Sequence, residues 1–392
     1  MSVTERKSGC DDMEEVAIIG IGCTPVGEPW HKSLRNMAVE STWAAMDDAG
    51  VDQVDALILG NMSSGSFNEQ ESLGSLIADY AGLGNISAFK VEGACGSGGA
   101  AFKAGVMAVA SGYHDLVCVN GIEKMTDVVG DNATKILANA ADREYESIHG
   151  ISFPGLNAMI MRRYLYDYNV KRDDLAAFPV NSHKNAVHNK NAMFRKEISA
   201  DSVLNSPMVA NPMTLMECAP ICDGSASVIL TTKERAKEFT DTPVIVKGCS
   251  VKVDTIGVHD RKTVTSMNAT VTAAQDAYKQ SGMQPSDIEA VELHDAFSIM
   301  GAIGLEDMGF VERGKAPRFA AEGQIGIGGK LPCCTFGGLK ARGHPVGATG
   351  IYQIVEMCKN LRGEGVLDIE RGLTHNIGGT GSTVSVSILG RD

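Results

Sequence analysis

A cysteine set among small residues is the first candidate for chemistry. Cys95 stands in VEGACGSGGAA (91–101), with an apolar stretch before it and a run of small residues after it. A thiol at the start of a helix meets the positive end of the macrodipole and free N–H groups, which favour thiolate. The glycines allow a ligand to approach the backbone. The arrangement resembles a nucleophile elbow with N–H groups near enough to hold an oxyanion. A structural thiol in a tight turn fits the local pattern equally well. His344 lies in GGLKARGHPVGATG (337–350). A His between Gly and Pro at a helix start is rigidly held and can serve a thiol as base. A capping His is the plainer alternative. His294 and Asp295 end an apolar stretch in VELHDAFS. In an open α/β sheet such a pair points into a cleft, unless it is merely satisfied at a strand edge. Asp295 would fix the imidazole tautomer or cap the next helix. His375 and Asn376 precede a glycine pair in LTHNIGGTGS, where backbone donors and side chains can position a substrate or simply make a turn.

These residues need elements to carry them. VAIIGIG (16–22) and VDALILG (54–60) read as buried strands, and LVCVNGIE (116–123) as a third. Leu34, Met37, Ala38, Ser41, Ala45 and Met46 recur at helical spacing over 34–49, and Gly50 stops them. Further helices are expected near 71–82 and 97–111. Alternating strands and helices predict a mostly parallel α/β sheet. Residues 131–240 break that rhythm and read as an insertion over the core; α/β alternation resumes over 243–392. The expected division is a core half over 14–130, the insertion over 131–240, and a second half over 243–392. The second half repeats the first weakly: residues 44–64 can be laid against 276–298, and the Cys95 loop against 343–350. If the repeat is real, equivalent loops face each other across one site.

Bulk properties narrow the function. The chain has 392 residues, 44% hydrophobic and 21% charged, enough for large cores. A net charge of −13 argues against a nucleic-acid binder. Any phosphate-bearing ligand must then meet a local basic cluster, and one stands out: Lys184, Lys190, Arg195 and Lys196, with His183 and His188. A solvated helix face is the plainer reading of that run. The ten cysteines form no CxxC pair and no zinc-ligand spacing, so most read as reduced buried thiols. The polar start shows no secretory signal, and no apolar run reaches the length of a membrane span. A reducing, cytoplasmic location is expected, with no metal and no membrane partner.

Together, and in this order, the motifs resemble those of the thiolase superfamily, especially its sterol-carrier-protein-like and archaeal members. VEGACGSGGAA resembles the nucleophile motif, HDAF the Asn-Glu-Ala-Phe or His-Asp-Cys-Phe motif, GGLKARGHPVGATG the Gly-His-Pro motif and HNIGGTG the last motif. CDGSASVIL (222–230) resembles the stretch that closes the insertion. The resemblance runs from about residue 14 to the end. It implies a five-layer αβαβα fold of two similar halves, a homodimer or tetramer, and no cofactor beyond the coenzyme A of substrate and product. It implies acetyl-CoA C-acetyltransfer through a Cys95 acyl-enzyme, with His344 as base. His294 would help hold one oxyanion, and the backbone N–H groups of Cys95 and Gly378 the other. Lys184, Lys190, Arg195 and Lys196 would meet the CoA phosphates. The archaeal likeness implies a role in mevalonate-type isoprenoid synthesis, and contact with 3-hydroxy-3-methylglutaryl-CoA synthase through a small OB-fold bridging protein. One departure stands out. The second acid/base cysteine of the family is replaced by Asn376 in the last motif and by Ala296 in the His-Asp motif. His294, His375, Cys333 and Cys334 are the candidates to replace it. A decarboxylating ketoacyl synthase needs no such base and stays open, as does a catalytically weak acyl-binding or scaffold subunit.

Overall fold

The computed structural model describes residues 14–392. The first apolar run forms β1 (Val16–Cys23). Helix α1 (Leu34–Ala49) follows. The Ser33 hydroxyl accepts the Asn36 N–H at 3.1 Å, and Gly50 ends the helix at φ 66°. Gly50 is the stop the sequence announces, and Ser33 is a residue type suited to the cap. Next come β2 (Ala56–Gly60), α2 (Leu73–Tyr80), β3 (Ser87–Val91), α3 (Ser97–Ala110) and β4 (Val117–Glu123). The expected strands and helices all form, with ends displaced by a residue or two. The chain then leaves the sheet. It builds α4 (Phe153–Tyr168), α5 (Ala177–Ala186) and a separate ribbon of β5 (Met208–Ala210) and β6 (Met213–Thr214), and returns as β7 (Gly224–Thr232). The remainder is β8 (Val244–Val253), α6 (Asn268–Ser281), β9 (Ala290–Glu292), α7 (Ser298–Asp307), α8 (Thr349–Leu361), β10 (Arg371–Gly378) and β11 (Thr383–Arg391).

The large sheet runs β3-β2-β4-β7-β1-β8-β11-β10-β9. It is not mostly parallel, contrary to the sequence expectation. Only β2–β3, β2–β4 and β9–β10 pair in parallel, and every junction from β4 across to β10 is antiparallel. The cause is the two late strands. β7 arrives from the insertion rather than from a helical crossover. β11 is the hairpin return of β10, and so short a connection joins only antiparallel strands.

Read outward from the β1–β8 seam, one side runs β1, β7, β4, β2 and the other β8, β11, β10, β9. Each side begins strand–helix–strand, with α1 after β1 and α6 after β8, and each puts a helix before its inner returning strand, α3 before β4 and α8 before β10. The weak sequence repeat is thus a repeat of topology. Alternating side chains sort the layers. Ala17, Ile19, Leu57 and Leu59 pack against Met37 and Ala38 of α1. Ile18, Ile58 and Val119 face Phe102 of α3 and Ile351 of α8, and Leu389 and Ala290 reach Met357 of α8 from the other half. Val384, Val386 and Ile388 pack against Ala273 and Ala277 of α6. The sheet therefore bends around a central helix pair, giving five layers. Each buried Leu or Ile contributes about 1.5–3 kcal/mol, and Leu57→Ala would remove about 2–5 kcal/mol from this packing.

Glycines decide how closely the central pair meets. A Cβ on Gly98 would stand 2.9 Å from the Gly347 carbonyl oxygen, and one on Gly350 would stand 2.3 Å from the Gly99 nitrogen. Only glycine permits that backbone contact, and it sets the N-termini of α3 and α8 side by side. No helix among the described residues is long and apolar enough to cross a membrane.

Candidate active site

The loop ahead of α3 ends in a 3-10 turn, Ala94–Gly96, and Ala94 is held at φ 54°. A left-handed alanine is strained by roughly 1–3 kcal/mol, and local bonds hold it there. The Ser97 hydroxyl donates to the Ala94 carbonyl at 2.6 Å and accepts the Gly93 N–H at 3.0 Å. Cys95 is thereby presented to a cavity of about 560 Å³ that His294, His344, Cys218 and Gly379 also line.

The charge state is not the thiolate that the helix start suggested. Burial, then the nearby Glu123 carboxylate, pushes the thiol up to about 12, against the stabilising N–H of Gly379. Cys95 is part-exposed as a whole residue, but its sulfur is enclosed by protein, and desolvation outweighs the helix dipole. The N–H groups at the sulfur are those of Gly379 and of Cys95 itself. Gly378, beside Gly379, packs closely on the Cys95 turn: a Cβ there would meet the Gly93 carbonyl oxygen at 2.2 Å.

Two imidazoles face the same cavity, with ring centroids 5.1 Å apart and planes perpendicular. Their hydrogen bonds fix opposite tautomers. The Thr349 hydroxyl donates its single hydrogen to the Pro345 carbonyl at 3.0 Å, so at 2.7 Å from His344 Nδ1 it acts as acceptor. Nδ1 then carries the hydrogen, and His344 Nε2 is a free base. At His294 the Ile377 backbone N–H donates to Nδ1 at 3.1 Å. Nε2 therefore carries the hydrogen, and His294 is a donor. Burial, then Arg342, lowers His344 to about 3. Burial, then His344, His375 and Arg342, holds His294 well below its ordinary value. Both rings are neutral near pH 7.

Asn376 is fully occupied. Its Nδ2 donates to the Cys95 carbonyl at 3.2 Å and lies 3.3 Å from His294 Nδ1, and its Oδ1 accepts the Gly99 N–H at 3.2 Å. It holds the nucleophile turn and the donor ring together, and it has no proton to exchange. Asp295 neither orients His294 nor caps α7. It accepts from the Ser182 hydroxyl at 2.7 Å and the Leu339 N–H at 2.6 Å, tying α5 to the loop before His344. His375 points to the other side of β10, with Nε2 3.2 Å from the Thr270 hydroxyl. The Cys333 and Cys334 sulfurs face the Leu331 and Leu293 carbonyls. None of these three lines the cavity.

The basic run is divided. Lys184 lies on α5 with His183, and it opens with His188 and Gly326 on a different cavity of about 300 Å³. Lys190 is exposed and lines neither cavity. Arg195 and Lys196 are exposed beside Phe194, which does line the Cys95 cavity. Among the described residues no group of three His, Cys, Asp or Glu is placed to hold a metal ion.

Sequence reasoning missed two residues. Glu123 is buried and accepts the N–H groups of Met62, Ser63 and Gly347 at 2.8, 3.1 and 3.0 Å, joining the β2 loop to the His344 loop. A carboxylate ending an apolar strand was its signal. Cys218 lines the cavity wall, and only its place just before CDGSASVIL could have marked it.

The neutral thiol, the free imidazole base and the neutral imidazole donor around one cavity are the parts of an acyl-transfer centre. The family model described as "Thiolase, N-terminal domain" matches residues 16–234, and "Thiolase C-terminal domain-like" matches 250–391. An acetyl-CoA acetyltransferase of Methanothermobacter thermautotrophicus is 49% identical, over 97% of this chain and all of that one. One from Methanocaldococcus jannaschii is 41% identical, over 96% of this chain and 99% of that one. Among solved structures, an "Ltp2-ChsH2(DUF35) aldolase" superposes with a TM-score of 0.84 at 29% identity, covering 96% of this chain and 98% of that one. With both family models spanning nearly all of its described residues, this chain belongs to the thiolase family and is an acyltransferase.

Proposed function

We propose that the protein is an acetyl-CoA C-acetyltransferase that works through an acetyl group on Cys95. The observation that carries this reading is the pair of opposite tautomers around the thiol. His344 Nε2 takes the Cys95 proton as the sulfur attacks a thioester carbonyl. His294 Nε2–H donates to the oxygen that becomes negative when the second acetyl-CoA is deprotonated, a contact typically worth about 3–4 kcal/mol. The N–H groups of Cys95 and Gly378 receive the oxyanion of the acyl-enzyme, and that of Gly379 lies at the sulfur. Asn376 and Glu123 are positioning residues. No metal or cofactor is required beyond the CoA of the substrates.

Arg195 and Lys196 meet the CoA phosphates from beside the cavity, and Lys184 and Lys190 do so only if the nucleotide extends past them. The division into 14–130, 131–240 and 243–392 follows the departure from and return to the sheet. The chain acts in the cytoplasm as a homodimer or tetramer. One solved relative, the Ltp2-ChsH2(DUF35) aldolase, is named together with a DUF35 protein. That supports a bridging partner here, and through it contact with 3-hydroxy-3-methylglutaryl-CoA synthase in a mevalonate-type route.

The deciding experiment incubates the protein separately with acetyl-CoA, with acetoacetyl-CoA plus CoA, and with malonyl-CoA, and reads products by mass spectrometry. Acetoacetyl-CoA cleavage with an acetylated Cys95 peptide is expected. Product from malonyl-CoA alone would move the protein to the decarboxylating class. Tight acyl-CoA binding without turnover would make it a scaffold.

A further inference from the structure

The reaction needs a group that moves a proton to and from the α-carbon. Asn376 and Ala296, where relatives of this kind carry cysteines, have no exchangeable acid. His375, Cys333 and Cys334 stand off the cavity. Among the titratable residues that line it, His344 Nε2 serves Cys95, and His294 is fixed as a donor by the Ile377 N–H. Glu28 is exposed at the mouth. Cys218 remains.

Its placement is specific. Cys218 forms an antiparallel bridge with Phe297, and the next N–H, Ala219, donates to the Ala296 carbonyl at 2.8 Å. Cys218 thus stands opposite Phe297, one residue past the position in the His294 loop that lacks a sulfur, and Cys218, Ala296 and Phe297 line the same cavity. The buried Lys340 ammonium donates to the Cys218 carbonyl at 2.7 Å, bringing a positive charge beside the thiol. At rest the thiol points to the Thr214 carbonyl at 3.6 Å, a weak contact that is easily given up.

We propose that the Cys218 thiol is the acid/base that protonates and deprotonates the α-carbon of the CoA thioester. The proposal rests on the acyl-enzyme reading above. In thiolysis, His344 takes the Cys95 proton and the sulfur attacks the 3-oxo carbon. The bond between C2 and C3 breaks, and its electron pair passes into a thioester enolate held by His294. Cys218–SH gives its proton to C2, and acetyl-CoA leaves. Free CoA then gives its thiol proton to the Cys218 thiolate and attacks the acyl group on Cys95. The released Cys95 thiolate recovers its proton from His344. The net movement is one proton from CoA to the methyl group of acetyl-CoA, and every residue is restored. A thiol that burial keeps neutral, despite Lys340, is in the form that the protonation step requires.

The test separates this step from acylation. Cys218→Ala and Cys218→Ser are compared with the unaltered protein in two assays. One is exchange of the acetyl-CoA methyl protons into deuterated water. The other is acetylation of Cys95 by 4-nitrophenyl acetate, whose leaving group needs no proton. Exchange should fall at least a hundredfold while acetylation stays within threefold. Unchanged exchange, or an equal fall in both, would overturn the proposal. No acetylation of Cys95 in the unaltered protein would instead overturn the acyl-enzyme reading. A measurement that does not depend on altering Cys218 uses Cys95→Ala protein and bromoacetyl-CoA, which carries its electrophile on the α-carbon. Peptide mass spectrometry should find the label on Cys218; label elsewhere, or none, overturns the assignment.

Discussion

The two halves share a topology and divide the chemistry. Where the first half ends its loop before a central helix, it supplies a thiol on a strained turn. Where the second half does the same, it supplies His344. The strand ends diverge in the same way. After β2 the chain turns its donors inward, the Asn61 amide and the Met62 and Ser63 N–H groups all going to Glu123. After β9, the matching strand, it presents His294 and then uses Asp295 to fasten the next loop. On the proposed reading, the first half carries the acyl group and, through its inserted segment, Cys218, while the second supplies the base His344 and the donor His294. A duplicated framework makes this possible because equivalent loops face each other across the α3–α8 contact.

The sharpest break of that comparison removes the contribution of the first half. Cys95→Ala should lower turnover by more than about 10⁴-fold, as loss of a covalent nucleophile does, with the melting temperature little changed. Acetyl recovered on any other residue would falsify the division. His344→Ala removes the base supplied by the second half and should reduce turnover by about 10²–10⁴-fold. Here the neutral resting pair gives a distinct signature. With the thiol at about 12 and the imidazole at about 3, there is no thiolate–imidazolium pair. Alkylation of Cys95 in the unaltered protein should climb steadily from pH 7 to 10. A plateau reached by pH 7 would mean that the ion pair exists after all.

His294→Ala is narrower. It should cost about 10²–10³-fold in turnover and act on one half-reaction. Acetylation of Cys95 by acetyl-CoA should persist, and exchange of the second acetyl-CoA's methyl protons should fail. Equal loss of both would make His294 a structural residue and leave the donor role to the backbone.

What the sequence disclosed follows from the range of the forces involved. Helix α1 was legible to the residue because Ser33 and Gly50 act locally. Cys95 and His344 stood out because each sits at a helix start with glycine or proline beside it, and His294 because it opens a polar pair at the end of an apolar strand. The strand directions were not legible. They depend on how β7 and β11 return, which no local pattern states. Asn376 was placed correctly in the chain, but its work is holding Cys95 and His294, contacts that cross some eighty and more than two hundred residues. The sign of the Cys95 shift was missed for a related reason. The helix start is visible locally, whereas burial and Glu123 come from the assembled fold. Cys218 reaches the cavity only because its segment pairs with the His294 loop.

Glu123 offers the smallest and most discriminating test, because it belongs to the first half yet bears on the reactivity of the nucleophile without touching substrate. Burial lifts its carboxyl from 4.5 to about 7, against the N–H groups of Met62, Ser63 and Gly347. The unfolded chain loses this proton near the lower value and the folded chain near the higher. Between them the folded state binds the extra proton, so the stability it confers is full below about 4.5 and is lost as the pH rises through 7. The loss can approach roughly 3 kcal/mol, at 1.36 kcal/mol for each unit. Glu123→Gln removes that dependence. Its stability relative to the unaltered protein should improve from pH 5 to pH 8 in urea denaturation, although the amide repels the N–H groups it faces and lowers stability at pH 5. The same change removes a negative charge that raises the Cys95 thiol. Iodoacetamide should therefore label Cys95 a few-fold faster in Glu123→Gln at pH 8–9, with the advantage shrinking toward pH 6, where the carboxyl is neutral in both proteins. Equal labelling rates at pH 9 would show that Glu123 only ties the two loops together, and that burial alone sets the thiol.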